Sequence, residues 1–269
     1  MASGHVRYGA GQPIVLLHGG GSSWREFDPL VPGLEPSRDV VVIKTPGHHE
    51  APLLPAGAPV TVAAIVDRIE LELDALGLRQ SDVVGHSFGG WHALELARRG
   101  RAHSVIAIAP AGGWTQQEAA RTEHMFAKRF IPTARHMRRV IPILARTRAG
   151  RRVLFAETGA RGRHITPETA VAFMTALAEW PLAPRIHEFL ADADGRYRTA
   201  DDLHEIRCPV LLLWGTNDKI VPLHQADHFL HQRAAMQLTE LPGAGHFPHF
   251  DVPDTIVRAI LEFTEQPAG

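Results

Sequence analysis

A chain of 269 residues, 45% hydrophobic and 21% charged, has the size and composition of a globular protein with one large core and room for an insertion. Its formal net charge of −1 points to no class of partner, and the lone Cys208, set before Pro209 at a strand entry, excludes an internal disulfide and reads as a packed thiol. No apolar run reaches membrane-spanning length, so no membrane partner is expected. Met1-Ala2-Ser3-Gly4-His5 lacks the charged and apolar regions of a signal peptide, and the expected compartment is the cytoplasm.

In chain order, residues 5–8 and Ile14-Val15-Leu16-Leu17 read as strands, the second running into His18-Gly19-Gly20-Gly21-Ser22-Ser23. Val40-Val41-Val42-Ile43 reads as a buried strand that ends at Lys44-Thr45-Pro46-Gly47-His48. Thr61 is placed to cap a helix whose apolar positions Val62, Ile65, Val66, Ile69, Leu73 and Leu76 keep the helical period, with Gly77 closing it. Val83-Val84 leads into Gly85-His86-Ser87-Phe88-Gly89-Gly90, followed by a helix to Arg98 and the strand Val105-Ile106-Ala107-Ile108-Ala109. Strands that are apolar on both faces and alternate with helices predict a doubly wound, mostly parallel sheet covered on both sides.

The alternation stops at about 112. To 205 the pattern is helical, with a capping box at Thr115-Gln116-Gln117-Glu118 and a second helix start at Thr166-Pro167-Glu168. Residues 112–205 therefore read as an inserted helical cap on a core made of 1–111 and 206–269. The sheet resumes at Pro209-Val210-Leu211-Leu212-Leu213-Trp214 and Met236-Gln237-Leu238-Thr239-Glu240-Leu241, and a last helix runs from about Pro253 to Phe263 with Asp251 as its expected N-cap.

Gly-x-Ser-x-Gly between a strand and a helix is the pattern of a nucleophile elbow. Serine at so tight an apex is held in a strained conformation with its hydroxyl clear of the sheet, and the helix that follows aims its first N–H groups at a forming oxyanion. A serine hydroxyl is a weak nucleophile near neutral pH, so it calls for an imidazole base and a carboxylate to orient that base. Asp218 follows one buried strand in Trp214-Gly215-Thr216-Asn217-Asp218, and His246 follows the next in Pro242-Gly243-Ala244-Gly245-His246. The rivals, His249 for the base and Asp201, Asp202 and Asp227 for the acid, fit these positions less well. His86, beside the apex, reads as a packing residue.

On His18-Gly19-Gly20-Gly21, Gly85-His86-Ser87-Phe88-Gly89-Gly90, Gly215-Thr216-Asn217-Asp218-Lys219-Ile220-Val221-Pro222 and Gly245-His246-Phe247-Pro248, the chain resembles the α/β-hydrolase superfamily with a helical cap over nearly its whole length. The resemblance implies Ser87 as nucleophile, His246 as general base and acid, Asp218 as its orienter, and the N–H groups of Phe88 and Gly20, ahead of Gly21, as the oxyanion hole. It implies hydrolysis of a carboxylic ester or related acyl substrate through an acyl-enzyme, with no cofactor and no metal. Carbon–carbon bond hydrolase, lactonase and acyltransferase chemistry use the same triad, and a non-turnover ligand sensor is a further alternative. Serine in place of aspartate at the elbow weighs against haloalkane dehalogenase and epoxide hydrolase chemistry. Family members often carry an acidic residue in the loop after the strand ending at Ile43, where this chain has Lys44-Thr45-Pro46-Gly47-His48, which bears on loop geometry.

Trp24, Trp114 and Trp180 are the first choices for the substrate wall, ahead of Met125, Phe126, Phe130, Met137, Phe173 and Met174. His224, His228 and His231 have the spacing of one helical face, for which solvent exposure is the commoner explanation than a metal. Residues 121–163 hold twelve basic side chains against two acidic ones. Solvated helix faces, contact with the acidic remainder of the chain or another subunit, and steering of an anionic substrate are its three readings. No nucleic-acid recognition motif accompanies the charge, so no nucleic-acid partner is expected. The sequence leaves the oligomeric state open.

Overall fold

Strands of five to seven residues, aliphatic-rich at the centre of the sheet, build a seven-stranded sheet in the order β1-β3-β2-β4-β5-β6-β7. The strands are β1 (His5–Gly9), β2 (Gln12–Leu17), β3 (Arg38–Ile43), β4 (Ser81–His86), β5 (Ala102–Ile108), β6 (Val210–Gly215) and β7 (Gln237–Leu241). Only β1 runs antiparallel to its neighbour, with His5 opposite Ile43; every other pairing is parallel. The structure, a computed structural model, describes residues 4–161 and 164–265; the first three residues and Arg163 of the basic segment lie outside them.

Both faces of the sheet are apolar because helices cover both. One face packs Val15, Leu17, Val83, Val105 and Leu212 against α2 (Val62–Ala75) and α3 (Phe88–Arg98). The other packs Ile14, Leu16, Val42, Ile106 and Leu213 against α1 (Val31–Leu34) and the apolar stripe of a C-terminal helix through Ile256, Ile260 and Phe263. Thr61 caps α2 as its sequence predicts, its hydroxyl accepting from the Ala64 N–H at 3.1 Å.

Between β5 and β6 the described chain forms helices joined by turns and irregular segments, with one isolated bridge, Ala191 to Tyr197. It contains α4 (Gln116–His124), a π-helical turn (Met125–Phe130), α5 (Ile131–Met137), α6 (Ile141–Ala145), α7 (Arg148–Phe155), α8 (Pro167–Ala178) and α9 (Ile186–Leu190). The capping box at Thr115 and Glu118 forms, and Thr166 caps α8. The π-helical turn leaves no residue of 125–130 buried, yet it presents phenylalanines to the interior described below. After β6 come α10 (Ala226–Gln232), α11 (Pro248–Asp251) and α12 (Pro253–Thr264).

Asp251 is not the N-cap of the last helix. Pro248 starts a short helix that takes in Asp251, and α12 begins after Val252 without a side-chain cap. The Asp251 carboxylate turns inward instead, accepting from the N–H of Gly245 at 2.9 Å and of Arg161 at 2.6 Å. It thus ties the loop before His246 to the end of the helical insertion.

Candidate active site

The parallel strands deliver three loops to one edge of the sheet, where ligands gather in folds of this topology. The sharpest is the turn after β4. Ser87 has φ 55° and ψ −117°, a region that L-residues seldom occupy. Its N–H donates to the Ile108 carbonyl at 2.9 Å, and its own carbonyl accepts from Ala111 at 3.0 Å and Trp91 at 3.2 Å. The turn is this tight because side chains are missing at two points. A Cβ on Gly85 would collide with the carbonyl of Gly89, and one on Gly89 with the carbonyl of Leu17.

Three side chains far apart in the chain meet here. His246 Nε2 stands 3.1 Å from Ser87 Oγ, and His246 Nδ1 stands 2.8 Å from Asp218 Oδ2. The second oxygen of Asp218 accepts from the N–H groups of Ile220 and Val221, both at 2.9 Å, which fixes the plane of the carboxylate. All three residues are buried. Burial pushes the His246 imidazole below its ordinary pKa, an effect that the Asp218 carboxylate offsets in part. The rivals go elsewhere. His249 is fully buried without a hydrogen-bond partner among the described residues, and Asp201 pairs with Thr199.

The helical segment between β5 and β6 reaches into the same constellation. The His246 N–H donates to the Thr158 carbonyl at 2.9 Å, and Asn217 Nδ2 donates to the Gly159 carbonyl at 2.9 Å. Residues 158–160 pass so close that a Cβ on Gly245 would strike the backbone of Gly159 and Ala160. That passage gives the Gly245-His246 dipeptide its physical reason.

Above Ser87 lies a cavity of about 260 Å³. Its walls are Phe126, Phe130 and Met137 from the π-helical turn and α5, Leu154 and Phe155 from α7, and Phe173, Met174 and Leu177 from α8. Gly19, Gly20, Ser87 and His246 form the polar end. Among the described residues, one arginine and one carboxylate line the cavity, Arg129 and Glu157, and they pair with each other where both are exposed; His86 reaches its polar end. The N–H groups of Gly20 and Phe88 have no partner among the described residues, and Gly20 lies directly against the Phe88 ring.

The tryptophans chosen from sequence do not line this cavity. Trp24 sits in a short helical turn on the rim of the sheet, donates to Glu50 at 3.1 Å and carries the Arg25 guanidinium over its ring. Trp114 is drawn to the base of the insertion by a hydrogen bond to the Arg198 carbonyl at 2.8 Å, and its ring meets Phe88 and Trp91 edge-on. Trp180 stacks on His48 at 5.3 Å and backs Phe126 from outside the cavity. A buried indole goes where its N–H finds an acceptor or its large face finds a ring, and helical periodicity does not encode that choice. Five of the side chains ranked behind them, Phe126, Phe130, Met137, Phe173 and Met174, form the wall, whereas Met125 does not.

Glu26 is the residue that sequence reasoning missed. It is fully buried beneath the site, with Oε1 at 2.8 Å from His86 Nδ1 and both oxygens at 3.4 Å from the Gly19 N–H. His86 Nε2 in turn lies 2.7 Å from the carbonyl oxygen of His246. His86 therefore does more than pack. An acidic residue inside the apolar turn Trp24–Phe27, just past a glycine-rich loop, was the available signal.

At the loop after β3, Thr45 donates its N–H to His18 Nε2 at 3.2 Å, and the Lys44 N–H reaches the Gly4 carbonyl at 2.8 Å. Backbone bonds thus hold this loop where family members often carry an acid. His224, His228 and His231 point to separate partners: the Glu118 carboxylate, the Ala200 carbonyl and the Asp227 carbonyl. Among the described residues, one group has donors near enough for a cation: Glu26, His86 and His249. Glu26 and His86 are already bonded to each other, and an ion ligated by both would have to drive them apart.

A model of the alpha/beta hydrolase family matches residues 14–259. The chain belongs to this family. An epoxide hydrolase of Mycobacterium tuberculosis is 33% identical to this α/β hydrolase over 226 residues, covering 76% of it and 95% of the relative. A 2-hydroxy-6-oxo-2,4-heptadienoate hydrolase of Pseudomonas putida is 28% identical over 95% of this chain and 90% of its own. A pimeloyl-[acyl-carrier protein] methyl ester esterase of Neisseria meningitidis is 27% identical over 94% and 92% respectively. No described helix of this α/β hydrolase is long and apolar enough to cross a membrane.

Proposed function

We propose that this enzyme hydrolyses a carboxylic ester with an apolar acyl part, through an acyl-enzyme on Ser87. The carrying observation is the Ser87–His246–Asp218 relay, with its 3.1 and 2.8 Å contacts, at the polar end of an apolar cavity. In this reading His246 takes the Ser87 proton as the oxygen attacks the carbonyl. The N–H groups of Gly20 and Phe88 hold the tetrahedral oxyanion, and His246 then protonates the departing alcohol. Water enters and gives its proton to His246 as its oxygen attacks the acyl carbon; the Ser87 Oγ–acyl bond then breaks, Ser87 takes that proton back from His246, and the acid is released. Asp218 keeps the imidazole in the tautomer with its proton on Nδ1 and steadies the imidazolium.

The relatives span three chemistries, and features of the site favour one of them. A carboxylate that opens an epoxide leaves an ester, which water can cleave; a serine would leave an ether, which this machinery does not cleave. Serine at the elbow therefore disfavours the epoxide reading. A dienoate brings its own carboxylate, and among the described residues the one arginine on the cavity wall, Arg129, is already paired with Glu157. An acyl chain asks only for the apolar wall that is present. Residues 112–205 act in this account as the cap that supplies that wall and excludes water. The twelve basic residues of 121–163 favour an ester whose negative charge stays outside the cavity.

A panel of p-nitrophenyl esters, a lactone and a vinylogous diketone, run beside Ser87→Ala, tests this reading. Ester turnover should far exceed a single burst. A stoichiometric burst without turnover would mark a sensor, alcohol-dependent formation of a new ester an acyltransferase, and preference for the diketone a carbon–carbon hydrolase.

Two further results are expected. Because the base must be neutral to accept a proton, kcat/KM should rise with pH as His246 deprotonates. With its pKa lowered by burial, the midpoint should fall on the acid side of the usual imidazole value of about 6.5. A midpoint above that value would contradict the assignment of this buried base. Added salt should lower kcat/KM for anionic esters and leave neutral ones nearly unchanged; equal responses would give the basic segment another purpose.

A further inference from the structure

We propose that His86 is a buried imidazolium, ion-paired with Glu26, and that the pair is a positioning device shared by the catalytic base and the oxyanion loop. The proposal deepens the serine-hydrolase reading and rests on it for its catalytic consequence. Its charge assignment stands on geometry alone. His86 Nδ1 faces a carboxylate oxygen at 2.8 Å and Nε2 faces a backbone carbonyl oxygen at 2.7 Å. A peptide carbonyl carries no proton to give, so Nε2 must donate. If Nδ1 were bare, its lone pair would confront an oxygen lone pair unless Glu26 itself were protonated.

The surroundings of Glu26 speak for the ionised acid. Both of its oxygens also face the Gly19 N–H, a second donor that favours negative charge. Burial alone would raise its pKa, but the charge and hydrogen bond of His86 outweigh that and lower it to about 2. Unpaired, either charge would be prohibitive in a site with no exposure; paired, they cancel. The titratable neighbours leave this count unchanged. His249, from α11, has Nε2 3.9 Å from Glu26 and is held neutral by burial, its pKa near 3. His18, from the loop after β2, is likewise lowered by burial. His246 is lowered too, and Asp218 stands on its far side.

The consequence is mechanical. One carboxylate holds Gly19, the residue before the proposed oxyanion donor Gly20. Through His86 it also holds the main chain of His246, whose ring centroid lies 4.7 Å from that of His86. The distance between base and oxyanion donor is thus set by a strut linking three loops, with Asp218 adjusting only the far side of the imidazole. Glu26 is not among the residues lining the cavity and His86 meets only its polar end; neither touches the reacting atoms in this account, and they act by placing the groups that do.

Nitrogen-15 NMR of histidine-labelled protein tests the charge state directly, with His86 assigned by the signal lost in His86→Gln. Both His86 nitrogens should carry a proton at neutral pH. One bare nitrogen at neutral pH would overturn the proposal. Glu26→Gln keeps an acceptor and the side-chain volume but removes the charge. In that variant His86 should lose one ring proton, and kcat should fall on the order of tenfold or more with KM little changed. Fluorophosphonate labelling of Ser87 should slow by the same factor. Unchanged kcat per labelled site, or a loss explained wholly by a smaller folded fraction, would reduce Glu26 to a structural residue. Failure of the parent reading looks different: Ser87→Ala would still turn over ester, while its His86 spectrum stayed that of the parent.

Discussion

Ser87→Ala should lower kcat on the order of a millionfold while leaving the protein folded. The Ser87 side chain makes one described hydrogen bond, to His246 Nε2, so its loss leaves no other buried group unpaired. Alanine at φ 55° is as strained as serine, so stability should change little in either direction. What survives is the rate from substrate binding and from the Gly20 and Phe88 N–H groups alone. Steady-state turnover of a p-nitrophenyl ester, with a thermal melt as control, measures this. Turnover within tenfold of the parent would move the chemistry off Ser87.

Asp218→Asn should cost about 10⁴-fold in kcat with KM little changed. The geometry explains why so small a change is so damaging. Oδ1 of residue 218 accepts from two backbone N–H groups, so an asparagine would keep its carbonyl oxygen there and turn its amide toward His246 Nδ1. An amide donor at that point demands a bare Nδ1 and drives the proton to Nε2, where it faces the Ser87 hydroxyl. The imidazole then cannot accept the serine proton. The backbone bonds persist, so the variant should fold and bind substrate. A loss of less than tenfold would give the orienting role to another acid.

The reasons these residues were legible in the sequence, and others were not, are physical. Ser87 and Asp218 each follow a buried parallel strand and His246 follows the parallel edge strand β7, and strand ends are where this topology gathers loops, so strand pattern and chain order located them. The glycines around them mark close approaches: Gly85 and Gly89 at the elbow, Gly245 against the insertion. Glu26 obeys no periodicity. It lies in a short helical turn, and its partner His86 is 60 residues further along, visible only once β2 and β4 are neighbours. The same limit explains the tryptophans. Their indoles follow local acceptors and rings, while the cavity wall is set by which faces of α5, α7 and α8 the insertion turns toward Ser87. Asp251 precedes a helix in sequence as an N-cap would, but Pro248 had already begun a turn that includes it.

Covalent capture addresses the central claim most directly. A fluorophosphonate probe incubated with the active enzyme, followed by digestion and mass spectrometry, should modify one residue, Ser87, and abolish ester turnover in proportion to the adduct formed. An adduct on a different residue, or full turnover in protein whose Ser87 carries the probe, would contradict it.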